Sequence, residues 1–267
     1  MNGVSQPRLL IGGGASPHAY ALKPSDIRAL SDADLVVWVG EGLESAVLER
    51  PLHSLAGKVR VLKMSALDGV QLLPTREGGR WEGHAGEEVG HSDAHAEVDT
   101  HLWLSPHNAQ RVVVEVAHSL AQIDPANAEQ YLANAERVSR RIGGLEQRLV
   151  KLLAPIRERH YIVFHDAYHY FEEAFGLQPA GAIAVSPERR PGARRIIEIR
   201  KTIRDLGVAC VFSEPQFRPD IVEVIMEGSG ARHGVLDPLG SSLPPGKEQW
   251  FSLMQGLADN LLGCLAQ

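Results

Sequence analysis

The sequence predicts an α/β protein of two lobes with parallel sheets, joined by one long rigid helix. The first observation is that short apolar runs alternate with amphipathic segments in both halves of the chain, as they do in parallel α/β folds. The second is a helical pattern between these two regions. We therefore expect an N-terminal lobe over 1–123, a connecting helix over 124–155 and a C-terminal lobe over 156–267.

The composition is that of an ordinary globular protein. Of the 267 residues, 44% are hydrophobic and 22% are charged, so large-scale disorder is not expected. The net charge of −6 provides no basic surface for a nucleic acid. No apolar run reaches the roughly 18 residues that a membrane span needs. We therefore expect neither a nucleic-acid partner nor a membrane-spanning segment.

The N-terminal region begins with an expected strand at residues 8–11, which leads into three glycines and His18. The glycines lack the following Lys-Ser/Thr of a phosphate-binding loop, so we do not expect a phosphate site there. Ser25 is the predicted N-cap of a helix that begins at Asp26 and ends at Ser31. Further elements expected in this region are a strand at 35–39, a helix at 43–49 and a strand at 59–62.

A polar segment at residues 76–98 interrupts this alternation. It contains five glycines, six acidic residues and the histidines His84, His91 and His95, with almost no apolar side chains. Such a segment cannot form a core and is predicted to be a loop. Its composition favours accessory, weak capture of a metal ion, although an inert solvated loop would have the same composition.

Two cap signals follow this loop. Ser105 and Pro106 are typical of an N-cap and a first helical residue, and they predict a helix that ends near residue 123. Asp124 and Pro125 repeat the signal and open the connecting helix. About 28 residues at 1.5 Å each would span roughly 42 Å. An ordinary long core helix would show the same pattern.

The C-terminal region returns to strand and helix alternation. Three of its predicted strands end just before an ionisable residue, namely His165, Glu214 and Asp237, where open α/β sheets place their ligand sites. The predicted strands cover 161–164, 180–185, 208–212 and 234–236, and the predicted helices cover 168–175, 192–206, 219–227 and 248–265.

Twelve histidines make a metal site the first functional hypothesis. His18, His101, His165 and Asp237 all lie in loops that follow a strand or precede a helix, and three imidazoles with one carboxylate suit tetrahedral zinc. The residues alone do not decide whether these four side chains bind one metal ion. The competing ligands are His107 and His169, and the histidines expected to be ordinary surface or core residues are His53, His118, His160 and His233.

Six blocks of the sequence resemble, in the same order, zinc-specific periplasmic solute-binding proteins of ABC importers, within the superfamily of metal-binding lipoproteins and adhesins. They are 14–26, 33–40, 101–106, 164–168, 212–217 and 236–240, and they extend over nearly the whole chain. The resemblance implies a monomer with one zinc ion in the cleft between the lobes. It also implies periplasmic capture of zinc, delivery to membrane permease subunits and no catalytic residues.

The resemblance also implies roles for individual residues. It implies that the zinc ligands are His18, His101, His165 and Asp237, although some members have a water or a neighbouring acid in place of this carboxylate. It also implies that 76–98 corresponds to the family's loop rich in histidine and acid. Manganese-binding relatives have a glutamate in place of His165, so this histidine favours zinc. Family members also begin with a signal peptide, a first strand and a first helix. We therefore expect Met1 to be an internal methionine or the chain to be truncated.

Cys210 and Cys264 match a cysteine pair that members of this family join as a disulfide, which suits an oxidising periplasm. Closing a loop of about 55 residues would stabilise the fold by roughly 4 kcal/mol. Two unpaired core cysteines are the alternative.

Two other functions remain open. A zinc hydrolase would have three protein ligands, a metal-bound water and Glu214 as general base. A manganese-binding relative or a surface adhesin would share the fold.

Overall fold

The structure is a computed structural model that describes residues 1–12, 17, 20–76, 98–184, 191–217 and 220–267. Within these residues it contains strands β1 Leu35–Trp38, β2 Arg60–Lys63, β3 Tyr161–His165, β4 Pro179–Ala184, β5 Cys210–Ser213 and β6 Arg232–Val235. The helices are α1 Pro24–Ser31, α2 Ser45–Ser54, α3 Pro106–Ile123, α4 Ala128–Leu153, α5 His169–Phe175, α6 Ala193–Leu206, α7 Asp220–Met226 and α8 Gln249–Leu265. None of the helices in this part of the chain is long and apolar enough to cross a bilayer.

The strands form two parallel sheets, as the sequence predicts. In the N-terminal lobe β1 pairs with β2, and in the C-terminal lobe the strand order is β4-β3-β5-β6. The chain leaves β3 towards β4 on one side and later returns to β5 on the other. The carboxyl ends of β3 and β5 therefore flank a topological switch point, which is where open α/β sheets bind ligands.

The long helix α4 has 26 residues and hence a length of about 39 Å. It buries an apolar stripe that includes Ile142, Leu145 and Leu149. Its start differs from the prediction, because Pro125–Asn127 forms a separate 3₁₀ helix before it. The Asp124 carboxylate accepts hydrogen bonds from Asn127 Nδ2 at 2.8 Å and from the Tyr131 hydroxyl at 3.0 Å.

One apolar cluster extends through both lobes. It includes Val39 from the end of β1, Leu104 from the segment before α3, Leu149 from α4, and Phe171 and Phe212 from the C-terminal lobe. Interfaces between domains usually permit relative motion unless they are large and hydrophobic. Because the two lobes share this continuous core, their relative orientation is strongly restrained.

Two local predictions in the N-terminal lobe are wrong. Residues 8–11 form no strand, and Leu9 is 54% exposed. A strand needs a neighbour to pair with, and β1 pairs with β2 instead. Ser25 is not the cap of α1, which begins at Pro24, and the Asp26 carboxylate accepts a 2.9 Å hydrogen bond from the backbone N–H of Lys23.

The predicted disulfide is confirmed. Cys210 at the start of β5 is bonded to Cys264 near the end of α8, across 54 residues of sequence. The Arg232 guanidinium donates a 3.0 Å hydrogen bond to the Cys264 carbonyl, so β6 is attached to the same helix end. The disulfide ties α8 to the sheet that carries His165.

Candidate metal centre

His101 lies directly before the 3₁₀ helix Leu102–Leu104, and its side chain is buried. Its Nδ1 is 2.7 Å from Asp99 Oδ1, and its backbone N–H donates to the same oxygen at 2.9 Å. Burial raises the pKa of Asp99, but the hydrogen bonds from His101 and the charge interactions with His101 and His169 outweigh it and lower that pKa overall. An ionised carboxylate can only accept, so Nδ1 donates the proton of this contact, and in a neutral ring Nε2 is then the nitrogen with the lone pair.

His165 repeats this arrangement at the carboxyl end of β3. Its Nδ1 is 2.7 Å from Oε1 of Glu214, the residue that follows the neighbouring strand β5. Glu214 is only 2% exposed, so this contact is shielded from water. A carboxylate that binds the second ring nitrogen is the usual support of a metal-binding histidine, because it fixes the ring and makes Nε2 more basic.

The two Nε2 atoms point at each other at a distance of 3.4 Å, and the ring planes are tilted by 62°. Two zinc–nitrogen bonds of about 2.0–2.1 Å across this distance would enclose an angle of about 108–116°. That range includes the tetrahedral angle. The imidazole pair therefore has the spacing of two ligands on one tetrahedral zinc ion.

Several buried polar atoms on or beside the residues that support this pair have no hydrogen-bond partner among the described residues. These atoms are Asp99 Oδ2, Glu214 Oε2 and His169 Nδ1. Burial, followed by the nearby charges of Glu214 and Asp237, raises the pKa of Tyr168 far above its usual value. Because buried polar groups are rarely left unsatisfied, this concentration suits a site that binds an ion and water.

Asp237 follows β6 and is half-buried. Its Oδ1 accepts hydrogen bonds from Gln216 Nε2 at 2.7 Å and the Leu239 N–H at 3.1 Å, and its Oδ2 accepts from the Ser241 N–H at 2.7 Å and hydroxyl at 2.8 Å. The carboxylate thus caps the turn that follows it. In the part of the chain that the structure describes, no three His, Cys, Asp or Glu side chains form a complete metal-binding group.

The remaining predicted ligand, His18, lies outside the described residues, as do His84, His91 and His95. The ends of the polar segment are nevertheless fixed beside His101. Pro74 and Val98 form an antiparallel bridge, and the Asp99 N–H donates to the Leu73 carbonyl at 2.9 Å.

A partly buried ionic network lies next to His165. The guanidinium of Arg76 donates hydrogen bonds to Asp166 and, at 2.7 Å, to Oε2 of Glu172 in α5. Burial raises the pKa of Glu172, and the charge of Arg76 opposes this shift. The Tyr161 hydroxyl donates to the other oxygen of Glu172 at 2.9 Å. This network holds Arg76, the first residue of the polar segment, against the C-terminal lobe.

The two competing histidines occupy different surroundings. His169 Nδ1 is 3.9 Å from Asp99 Oδ2, and burial and the Arg76 charge lower the pKa of His169. His107 is exposed on α3, with Nε2 2.9 Å from the Gly69 carbonyl oxygen.

Two residues of this centre are missing from the sequence-based quartet. Asp99 was not among the predicted residues, although its position two residues before His101 is a usable signal. Glu214 was predicted at a strand end suited to a ligand site and as a possible general base, but its contact with His165 was not predicted.

The sequence model of the family described as zinc-uptake complex component A, periplasmic (ZnuA), matches residues 2–264. The high-affinity zinc uptake system protein ZnuA of Brucella suis biovar 1 is 38% identical over 292 aligned positions, which cover 100% of this chain and 87% of the relative.

Solved structures agree with this match. A crystal structure of ZnuA is 27% identical, with a TM-score of 0.80, and the match covers 98% of this chain and 91% of that one. A deletion mutant of ZnuA with zinc bound is 28% identical, with a TM-score of 0.77, over 96% of this chain and 88% of that one.

Proposed function

Because this chain belongs to the family of periplasmic zinc-uptake complex component A proteins, we propose that it is a high-affinity zinc-binding protein. It captures Zn²⁺ in the periplasm and delivers the ion to the membrane permease subunits of an ABC importer. It acts as a monomer. The observation that supports this function most directly is the 3.4 Å separation of the His101 and His165 Nε2 atoms.

The proposed zinc ligands are His18, His101, His165 and Asp237. His101 and His165 supply two neutral imidazoles whose Nδ1 protons are held by Asp99 and Glu214. Two buried carboxylates beside the ligands also balance the charge of a divalent ion. To bind zinc as the fourth ligand, Asp237 would exchange or share one of its four present hydrogen bonds.

The protein carries its ion without transforming a substrate. A zinc hydrolase would need Glu214 to face a metal-bound water as general base. In this chain Oε1 of Glu214 contacts the Nδ1 atom of His165, which is the side of the ring away from the metal. That contact gives Glu214 the role of orienting a ligand.

The segment that contains His84, His91 and His95 is proposed to assist capture weakly. Its described attachment points, Arg76 and Val98, lie beside the histidine pair.

The function is tested by isothermal titration of the metal-free protein with Zn²⁺. The wild type should bind one ion tightly, and His101→Ala or His165→Ala should weaken binding by orders of magnitude. His118→Ala is the control, because His118 is exposed on α3. Affinity should also fall as the pH drops below about 6.5, because protons then compete for imidazole. Unchanged affinity in both alanine variants, or at pH 5, would contradict the proposal.

A further inference from the structure

Trp103 lies two residues after His101 and contacts it, with 5.3 Å between the ring centroids. Its indole N–H donates a 2.9 Å hydrogen bond to the carbonyl of Pro238, the residue after Asp237. One side chain therefore touches a histidine of the candidate metal centre and reaches across to the loop that carries the candidate carboxylate.

A second tryptophan completes the connection. The indole N–H of Trp250, in the first turn of α8, donates a 2.8 Å hydrogen bond to the Trp103 carbonyl. Trp103 thus gives one hydrogen bond to the C-terminal lobe and accepts another from it. We call Trp103, Trp250 and the Pro238 carbonyl the tryptophan clasp.

The clasp acts on the segment that places His101. Just before His101, the Tyr170 hydroxyl of α5 donates to the Asp99 carbonyl at 2.9 Å. The segment is therefore held to the C-terminal lobe on both sides of His101. His165 belongs to that lobe, so these bonds set the position of one imidazole relative to the other.

We propose that the tryptophan clasp is a positioning device that holds His101 at a tetrahedral spacing from His165. It thereby slows zinc release and favours tetrahedral over octahedral ions. An octahedral ion with bonds of about 2.1 Å and ligands at right angles would need the two nitrogens about 3.0 Å apart. The observed spacing is 3.4 Å. The inference rests on the proposed function, because it assumes that this pair binds zinc.

The test compares Trp103→Phe and Trp250→Phe, each of which removes one indole donor and keeps an aromatic ring. The matched control is Trp38→Phe. Trp38 is buried in the N-terminal lobe, and its indole N–H has no partner among the described residues. Zinc dissociation is measured by stopped-flow mixing with a chelator, and Zn²⁺ and Mn²⁺ affinities are measured by titration.

Each clasp variant should release zinc about 2- to 10-fold faster, the range expected for loss of one neutral hydrogen bond. The ratio of zinc to manganese affinity should fall in both variants, and Co²⁺ should lose its intense tetrahedral absorption. The Trp38→Phe control should match the wild type in all three measurements.

The outcomes separate the two claims. A wild-type protein that binds no zinc would refute the proposed function. If the wild type binds zinc and both clasp variants keep its release rate and metal ratio, the clasp inference alone is wrong. A lowered melting temperature with an unchanged metal ratio would also overturn it, because that result indicates a purely structural role. Equally faster zinc release in Trp38→Phe would also overturn the clasp inference.

Discussion

At the scale of single residues, two acids hold the two histidines of the candidate metal centre. Asp99 and Glu214 each place one oxygen 2.7 Å from an Nδ1 atom. The same contact fixes the tautomer, the ring orientation and the basicity of Nε2. This support of both rings favours tight retention of an ion.

Asp99→Asn and Glu214→Gln should each weaken zinc binding by about 10- to 100-fold, because a neutral amide supports the imidazole less strongly than a carboxylate does. Calorimetric titration measures the change. The control is Glu248→Gln, which alters a carboxylate that pairs with Arg141 on the surface. Wild-type affinity in both acid variants would mean that neither carboxylate supports a zinc ligand.

At the scale of elements, the start of α3 organises the chain that follows His101. Ser105 is the N-cap of α3, as predicted. Its hydroxyl accepts a 3.2 Å hydrogen bond from the Asn108 N–H. The buried Asn108 side chain in turn accepts from the Gln71 N–H at 2.8 Å and donates to the Gln71 carbonyl at 2.9 Å. The first turn of α3 thereby fixes both the His101 segment and the chain that leads to Arg76.

Ser105→Ala should lower the free energy of unfolding by about 1 kcal/mol, because a helix N–H loses its cap. Ser25→Ala is a matched control, since Ser25 lies inside α1 and caps no helix. Urea denaturation gives both values. Equal losses in the two variants would show that the Ser105 hydroxyl does not stabilise α3 as a cap.

At the scale of the whole molecule, two features join the lobes into one unit. They are the shared apolar cluster and the long helix α4. The clasp adds hydrogen bonds across the same interface. A large hinge opening would expose much of this core, so ion release is expected to need only a small displacement.

Replacing both cysteines by serine should lower the free energy of unfolding by roughly 4 kcal/mol. Without the disulfide, the unfolded chain is no longer cross-linked between two residues 54 positions apart. Zinc affinity should change little, because the hydrogen bonds that hold the rings of His101 and His165 come from Asp99 and Glu214 and not from the cysteines. Urea denaturation with and without a reductant measures the effect. The reductant should destabilise the wild type and leave the double variant unchanged.

Much of the fold could be predicted because its signals are local. The β-branched and aromatic run before His165 predicts β3, and Ser105-Pro106 predicts the start of α3. The failures have local causes too. Residues 8–11 have the composition of a strand but no paired neighbour, and Pro24 shifts the start of α1 away from Ser25.

By itself, the sequence determined the α/β class, the long helix and the position of His165 at a strand end, because each depends on residue order or on a pattern within a few turns. The pairing of Cys210 with Cys264 was implied only by the resemblance to the family. The contact of His101 with His165 across 64 residues, the roles of Asp99 and Glu214, and the four hydrogen bonds on Asp237 were decided only by the tertiary structure. These are distances between segments remote in sequence, and they are set by how the two lobes pack around one shared core.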